Sequence, residues 1–214
     1  MPELSPMVYV VDNDVSVRKS LQELIRTAGW QPALFASAED FLSYPSKVRP
    51  SCLVLEVMLP GLNGLALQQQ LAGARADIPV IFITAQSDVP MSVRAMKAGA
   101  TEFLAKPFNE QELLEAIRFA LDRSRSQQAA VAEMAILRAR YARLSERERE
   151  VMALVVTGLM NRQVGDELGI SEETVKTHRG RVMRKMQASS LAELVVIDTK
   201  LQDTASSSRE SAQG

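Results

Sequence analysis

Residues 53–64 read LVLEVMLPGLNG: an apolar run holding a single acid, Glu56, closed by the breaker pair Pro60-Gly61. With Cys52 the run is a short apolar strand, Cys52 to Val57, and a helix is expected from Gly64 to about Ala72. A strand this uniformly apolar has no polar face for water. It belongs inside a parallel sheet covered by helices on both sides.

The same alternation extends in both directions. Val8–Val11 precedes a helix near Ser16–Ala28, a weaker strand at Gln31–Phe35 precedes a helix starting at Ser37, Val80–Thr84 leads into Pro90–Ala98, and Glu102–Ala105 leads through Lys106-Pro107 into Glu110–Leu121. The sum is a (βα)5 array, an α/β doubly wound parallel sheet of flavodoxin-like type. Gly29 and Gly99 are breakers, and Ser16, Ser37 and Asn109 are candidate N-caps.

Beyond residue 122 the character changes. Residues 123–143 carry five Arg against one acid, Glu133, without Gly or Pro, which reads as a basic connecting helix. Its apolar residues Ala130, Met134, Leu137 and Tyr141 recur at helical spacing, and the stripe fits either a dimer seam or packing on the chain's own domain. Ser145 with Glu148 three residues on is a capping box that opens a new domain. Three helices follow: one carrying Val151, Leu154 and Val155 up to Gly158, one from Asn161 to Leu168 stopped by Gly169, and one capped by Ser171. The chain thus divides into a regulatory domain (1–122), a helical linker (123–143), an all-α domain (144–200) and a Ser-rich disordered tail (201–214).

Composition removes several function classes. Hydrophobic residues make up 46% and charged residues 24%, so a packed core can form and global disorder is excluded. The sole cysteine, Cys52, can form no intrachain disulfide, and no apolar stretch is long enough to span a bilayer. MPELSPM has no signal-peptide pattern, so a cytoplasmic protein without a membrane partner is expected. The net charge of −1 conceals a basic segment: residues 171–185 hold five Lys and Arg against two acids, together with the only histidine, His178. That segment is the candidate phosphate binder.

Open parallel sheets bind ligands outside the carboxyl ends of their strands. Those positions hold Asp12, Asn13 and Asp14 after the first strand, Glu56 at the end of the third, Thr84 after the fourth and Lys106 after the fifth. Oxygen ligands suit Mg²⁺, and a lysine with a hydroxyl suits phosphoryl oxygens. Each residue alone has a bland reading as a turn acid or a loop lysine; their convergence carries the signal. No glycine-rich turn replaces Asp12-Asn13-Asp14, and no nucleophile with a partner base is visible, which counts against a nucleotide-binding enzyme.

The motifs VYVVDND, LVLEVMLPGLNG, VIFITA and AMKAGATEFLAKPF resemble the receiver domain of FixJ/NarL-type response regulators over residues 7 to about 122. The resemblance implies Asp12 and position 13 as an acidic pair, position 56 as phosphoacceptor, Thr84 as switch hydroxyl, Phe103 as switch aromatic and Lys106 as phosphate-binding lysine. Two positions depart from it. The family has Asp where this chain has Glu56, and usually an acid where it has Asn13. Glu56 carries its carboxylate one methylene further, and about 1 Å of misplacement can cost 10²-fold in rate. Asn13 removes a charge from the Mg²⁺ site, so weak metal binding and little phosphoryl acceptance are expected. The longer acid could instead bond Lys106 and Thr84, giving a phosphorylation-independent or active-like receiver. An inert scaffold, or a conventional phosphorelay regulator bearing an introduced or phosphomimetic glutamate, fits the same residues.

Leu168-Gly169-Ile170-Ser171 joins two helices as a helix-turn-helix, whose second helix can enter the major groove of DNA. Val175, Val182 and Met186 form its buried face, while Lys176, Thr177, Arg179, Gly180 and Arg184 project elsewhere. Residues 144–186 resemble the LuxR-type helix-turn-helix. That likeness implies Lys176 and Thr177 at base edges, and Asn161, Gln163, Ser171, Thr174, His178, Arg179 and Lys185 in backbone contact or support. Gly180 falls where some members carry a basic base-reading residue. The expected partners are double-stranded DNA, a second copy of the chain, RNA polymerase and a sensor histidine kinase; a non-DNA adaptor is the remaining alternative, and basic exposed helices also occur in purely structural bundles.

Overall fold

The computed structural model describes residues 5–45, 49–74, 77–86 and 88–210. They form two compact units, Met1–Ala129 and Ala130–Gly214.

The first unit has five parallel strands, β1 (Met7–Val11), β2 (Gln31–Phe35), β3 (Ser51–Glu56), β4 (Val80–Thr84) and β5 (Glu102–Ala105), in the order β2-β1-β3-β4-β5. Its helices are α1 (Val15–Thr27), α2 (Ala38–Ser43), α3 (Gly64–Ala74), α4 (Val89–Lys97) and α5 (Glu110–Ala142). The expected doubly wound (βα)5 architecture is present. Period-2 alternation divides the interior into two cores on opposite faces of the sheet. Tyr9, Leu53, Leu55 and Phe82 point to one face, and Val8, Val10, Cys52, Val54, Ile81 and Ile83 to the other. Cys52 is fully buried, and burial pushes its thiol far above the ordinary range, so it is an inert core residue. The strand order reverses between β1 and β3, which opens a crevice at their carboxyl ends.

Of the expected caps, Ser37 accepts from Asp40 N at 3.1 Å and Asn109 from Gln111 N at 2.8 Å. Ser16 is a correction. It lies inside α1, and the cap is Asp14, whose Oδ1 accepts from Ser16 N at 2.7 Å and Val17 N at 3.3 Å. A carboxylate at the positive end of a helix is favoured there over a hydroxyl two residues on.

The linker is no separate element. α5 runs unbroken for 33 residues, and the boundary between units falls within it. Its earlier part is tied to the first unit: Ser124 Oγ accepts from Ser51 N at 3.1 Å, and Gln128 Nε2 donates to Arg49 O at 2.7 Å. Its later part belongs to the second unit, where Leu137 is buried and Met134 and Tyr141 pack on the core. Three of the four residues of the apolar stripe thus pack on the chain's own domain, while Ala130 is exposed.

The second unit adds α6 (Glu146–Val155), α7 (Asn161–Leu168), α8 (Glu172–Met186) and α9 (Leu191–Glu210) around a core of Val151, Met152, Val155, Val164, Val175, Val182, Met186 and Leu194. The Ser145–Glu148 capping box is complete. The expected tail from 201 is corrected in part: Leu194, Ile197 and Leu201 continue one core-facing stripe, and the helical backbone runs to Glu210, while residues 211–214 lie outside the described residues. Among the described residues no helix is long and apolar enough to cross a membrane.

Candidate functional site

Two sites emerge, one in each unit. The first is a cleft of about 300 Å³ at the sheet's carboxyl edge, lined by Asp12, Asn13, Asp14, Glu56, Met58, Thr84, Gln86 and Lys106 among others. Parallel register places Asp12 and Glu56 side by side, because β1 and β3 pair Val11 with Leu55 immediately before them. Both carboxylates are buried, at 1% and 5% exposure. Lys106, carried in just after β5, sets its Nζ 2.6 Å from Asp12 Oδ2 and 2.7 Å from Glu56 Oε2. Burial alone would lower the lysine pKa, but the hydrogen bonds and charges of the two acids outweigh it and raise the value above the ordinary one.

Every carboxylate oxygen of this pair is engaged. Asp12 Oδ1 accepts from Asp14 N at 2.8 Å, and Glu56 Oε1 accepts from Met58 N at 3.0 Å. Gly64 lets the loop after β3 fold back so closely, since a Cβ there would lie 2.5 Å from Glu56 O. Asp14 lines the cleft, yet its Oδ1 serves the α1 cap, and the amide hydrogen bonds of Ser16 and Val17 hold its pKa low.

Glu56 does reach Lys106, but the expected bond to Thr84 is absent. Thr84 Oγ1 instead donates to Gln86 O and accepts from Gln86 N, both at 3.3 Å. With Met58 N and Lys106 holding the two oxygens of Glu56, the hydroxyl finds its partners in its own loop. Phe103 is half-buried on the core, its ring centroid 6.2 Å from that of Phe82. The residues present do not fit a Mg²⁺ ion as arranged: the Lys106 ammonium already takes the inward-facing oxygens of Asp12 and Glu56, and Asn13 adds no charge. Among the described residues no group of three or more His, Cys, Asp or Glu is placed to hold a metal.

The second site is the α7–α8 pair. Gly169 ends α7 in the left-handed conformation at φ 65°, and Ser171 caps α8 by accepting from Thr174 N at 3.2 Å. Gly165 makes the corner tight, since a Cβ there would lie 2.7 Å from Ile170 O, and Arg147 closes it by donating to Leu168 O at 2.6 Å. Sequence reading overlooked both residues; only Gly165, a glycine amid helix formers, left a signal.

The expected DNA residues fall into two groups. Lys176 is 70% exposed, with only Glu173 nearby at 4.0 Å, and Thr177 is exposed with its hydroxyl on Glu173 O at 3.0 Å. The others, His178 apart, are held by hydrogen bonds within the unit. Arg179 Nη1 donates to Asn161 Oδ1 at 3.1 Å, Ser171 and Thr174 share a hydroxyl contact of 2.8 Å, and Gln163 Oε1 accepts from Met160 N at 2.8 Å. Lys185 Nζ is drawn inward, to Glu148 Oε2 at 2.5 Å and Arg143 O at 3.1 Å. His178 keeps its Nδ1 buried without a hydrogen-bond partner.

Comparison with known proteins places each unit in a family. The family described as "Response regulator receiver domain" matches residues 8–118, and "Bacterial regulatory proteins, luxR family" matches residues 142–197. Nodulation protein W of Bradyrhizobium diazoefficiens is 50% identical over 88% of this chain and 83% of its own. Transcriptional regulatory protein FixJ of Rhizobium meliloti is 42% identical over 88% of this chain and 92% of its own. The solved structure of the response regulator StyR superposes with a TM-score of 0.83 at 45% identity, covering 92% of this chain and 99% of StyR. A receiver domain followed by a LuxR-type helix-turn-helix is the plan that the two family matches give. The chain therefore belongs to the response-regulator family, as a DNA-binding member of the FixJ type that joins a receiver domain to a LuxR-type helix-turn-helix.

Proposed function

We propose that this regulator binds promoter DNA as a homodimer without needing phosphoryl transfer to its receiver. One observation carries the reading: Glu56, at the position the resemblance gives to the phosphoacceptor, has both oxygens engaged, one on Lys106 at 2.7 Å and the other on Met58 N at 3.0 Å. Attack on phosphorus requires an oxygen aligned with the leaving group, and these two bonds fix the direction in which the Glu56 carboxylate points. Here the lysine that would draw in a donor phosphate instead neutralises the acceptor. Thr84 does not join the pair, so Glu56 sets the receiver through an ion pair with Lys106 rather than by imitating a phosphorylated aspartate.

In this reading α8 lies in the major groove, with Lys176 and Thr177 at base edges and Asn161, Gln163, Ser171, Thr174, His178 and Arg179 positioning the helix or contacting phosphates. Val89, Val93 and Met96 form an exposed apolar strip at i, i+4 and i+7 on α4, suited to pairing two copies. The dimer addresses two half-sites and recruits RNA polymerase. A sensor histidine kinase has a receiver to dock on, but Glu56 meets it with a longer side chain already paired to Lys106.

The test is binding of the intact protein to genomic duplex fragments with and without acetyl phosphate, alongside Glu56→Asp. Affinity of the natural protein should stay within about twofold, while Glu56→Asp should gain at least tenfold on adding the phosphodonor, about 1.4 kcal/mol. A natural protein whose binding rises with acetyl phosphate overturns the reading.

A further inference from the structure

α8 carries an unexplained cost at its centre. Gly180 sits in the ninth position of a 15-residue helix, where glycine is less favourable than any residue but proline. Nothing in the fold asks for it. A Cβ at this position would meet no atom within 4 Å, its backbone is not in the left-handed region, and the residue is exposed. Gly165 shows the opposite case in the neighbouring helix, because there a Cβ would strike Ile170 O at 2.7 Å.

The surroundings of Gly180 indicate what approaches it. Lys176, Gly180 and Arg184 stand at i, i+4 and i+8, so they form one strip along the helix, and Arg181 is exposed beside it. Cations above and below a bare stretch of backbone suit a polyanion that presses against the helix between them. The strip lies on the second helix of the helix-turn-helix, opposite the buried face of Val175, Val182 and Met186.

We infer that Gly180 is a specificity-determining residue of the DNA interface, one that acts by being bare. It lets the α8 backbone come into van der Waals contact with a base edge between Lys176 and Arg184, at a depth that any side chain would prevent. This inference rests on the proposed DNA reading and deepens it.

The test is Gly180→Ala in the full chain, measured by thermal unfolding and by titration of a genomic duplex fragment retained by the natural protein. A methyl group meets open space in the free protein, so the transition of the second unit should rise by roughly 4 to 8 °C. The same methyl group holds the helix off the groove, so affinity should fall about tenfold, with the salt dependence unchanged because no charge is altered. Equal or tighter binding by the stabilised variant overturns the inference. So does a variant that gains no stability, since the fold itself would then need the glycine. Failure of the natural protein to bind any duplex in a salt-dependent way would instead refute the DNA reading beneath it.

Discussion

Each unit of this chain sets a half-buried lysine against a buried carboxylate, and the two arrangements are built for different purposes. In the receiver, Lys106 faces two buried acids, Asp12 and Glu56, at the floor of an open cleft with exposed Asp14 on its rim. One cation for two carboxylates leaves an excess of negative charge facing solvent. In the second unit Lys185 faces one buried acid, Glu148, whose Oε2 also accepts from the Ser145 amide at 2.9 Å. That pair is matched one to one and closes the start of α6. Unequal charge in an accessible cleft marks a site that can respond to a change; equal charge within a cap marks scaffold.

The contrast is broken most severely at Lys106. Lys106→Met leaves two acids, 1% and 5% exposed, side by side without a counter-charge. Removing one partner of a buried pair costs about 3–5 kcal/mol, so the receiver should unfold well before the natural protein does in urea or on heating. The second unit should keep its own transition. Retention of receiver stability within about 1 kcal/mol would show that the acids rely on solvent in the cleft, and the distinction between the two pairs would collapse.

A smaller effect is expected at Glu148. Glu148→Ala removes both the capping box and the partner of Lys185, but Lys185 is 30% exposed and can turn outward, so the loss should be about 2 kcal/mol, read from the unfolding of the second unit. Glu148 and Lys106 should also lose their contributions at opposite ends of the pH scale. Burial raises the Glu148 pKa, but the Lys185 hydrogen bond and the Ser145 amide outweigh it and hold the value below the usual 4.5. Its contribution is therefore present above pH 4.5 and is lost as the pH falls through the lowered value. Lys106 is held above its usual 10.5, so its contribution is complete below that pH and disappears as the pH rises through the raised value. Unfolding followed across acid and alkaline titrations checks both directions.

How far these features could be read in advance depended on distance along the chain. The Ser145–Glu148 box lies within one helical turn, where local geometry leaves little choice. Glu56 and Lys106 are fifty residues apart, yet their meeting followed from the strand pattern, because carboxyl ends of parallel strands share one edge. The Lys185–Glu148 pair had no such guide. Helix packing brought it together, and the sequence alone offered Lys185 as a DNA contact. The cap of α1 was misplaced by two residues because Asp14 looked like a site acid before it looked like a cap. Thr84 was assigned to Glu56 on chemical grounds that hold only if no nearer partner exists, and Gln86 was nearer.

The finest division in the molecule lies within α8, between Lys176 and Lys185. Both are basic and both stand on the helix expected in the groove, yet one is 70% exposed while the other is bonded to Glu148 and Arg143 O. Lys176→Ala should leave the unfolding transition within about 0.5 kcal/mol of the natural protein, since an exposed contact at 4.0 Å contributes little. If its ammonium neutralises a phosphate, the salt dependence of promoter binding should fall by about 0.9 in log–log slope per half-site. Lys185→Met should do the reverse, leaving buried Glu148 without its counter-charge at a cost of about 3 kcal/mol of stability while the slope holds. A slope that drops equally for both variants would mean that the Lys185 ammonium leaves Glu148 when DNA arrives, making the buried pair of the second unit a responsive element like that of the receiver.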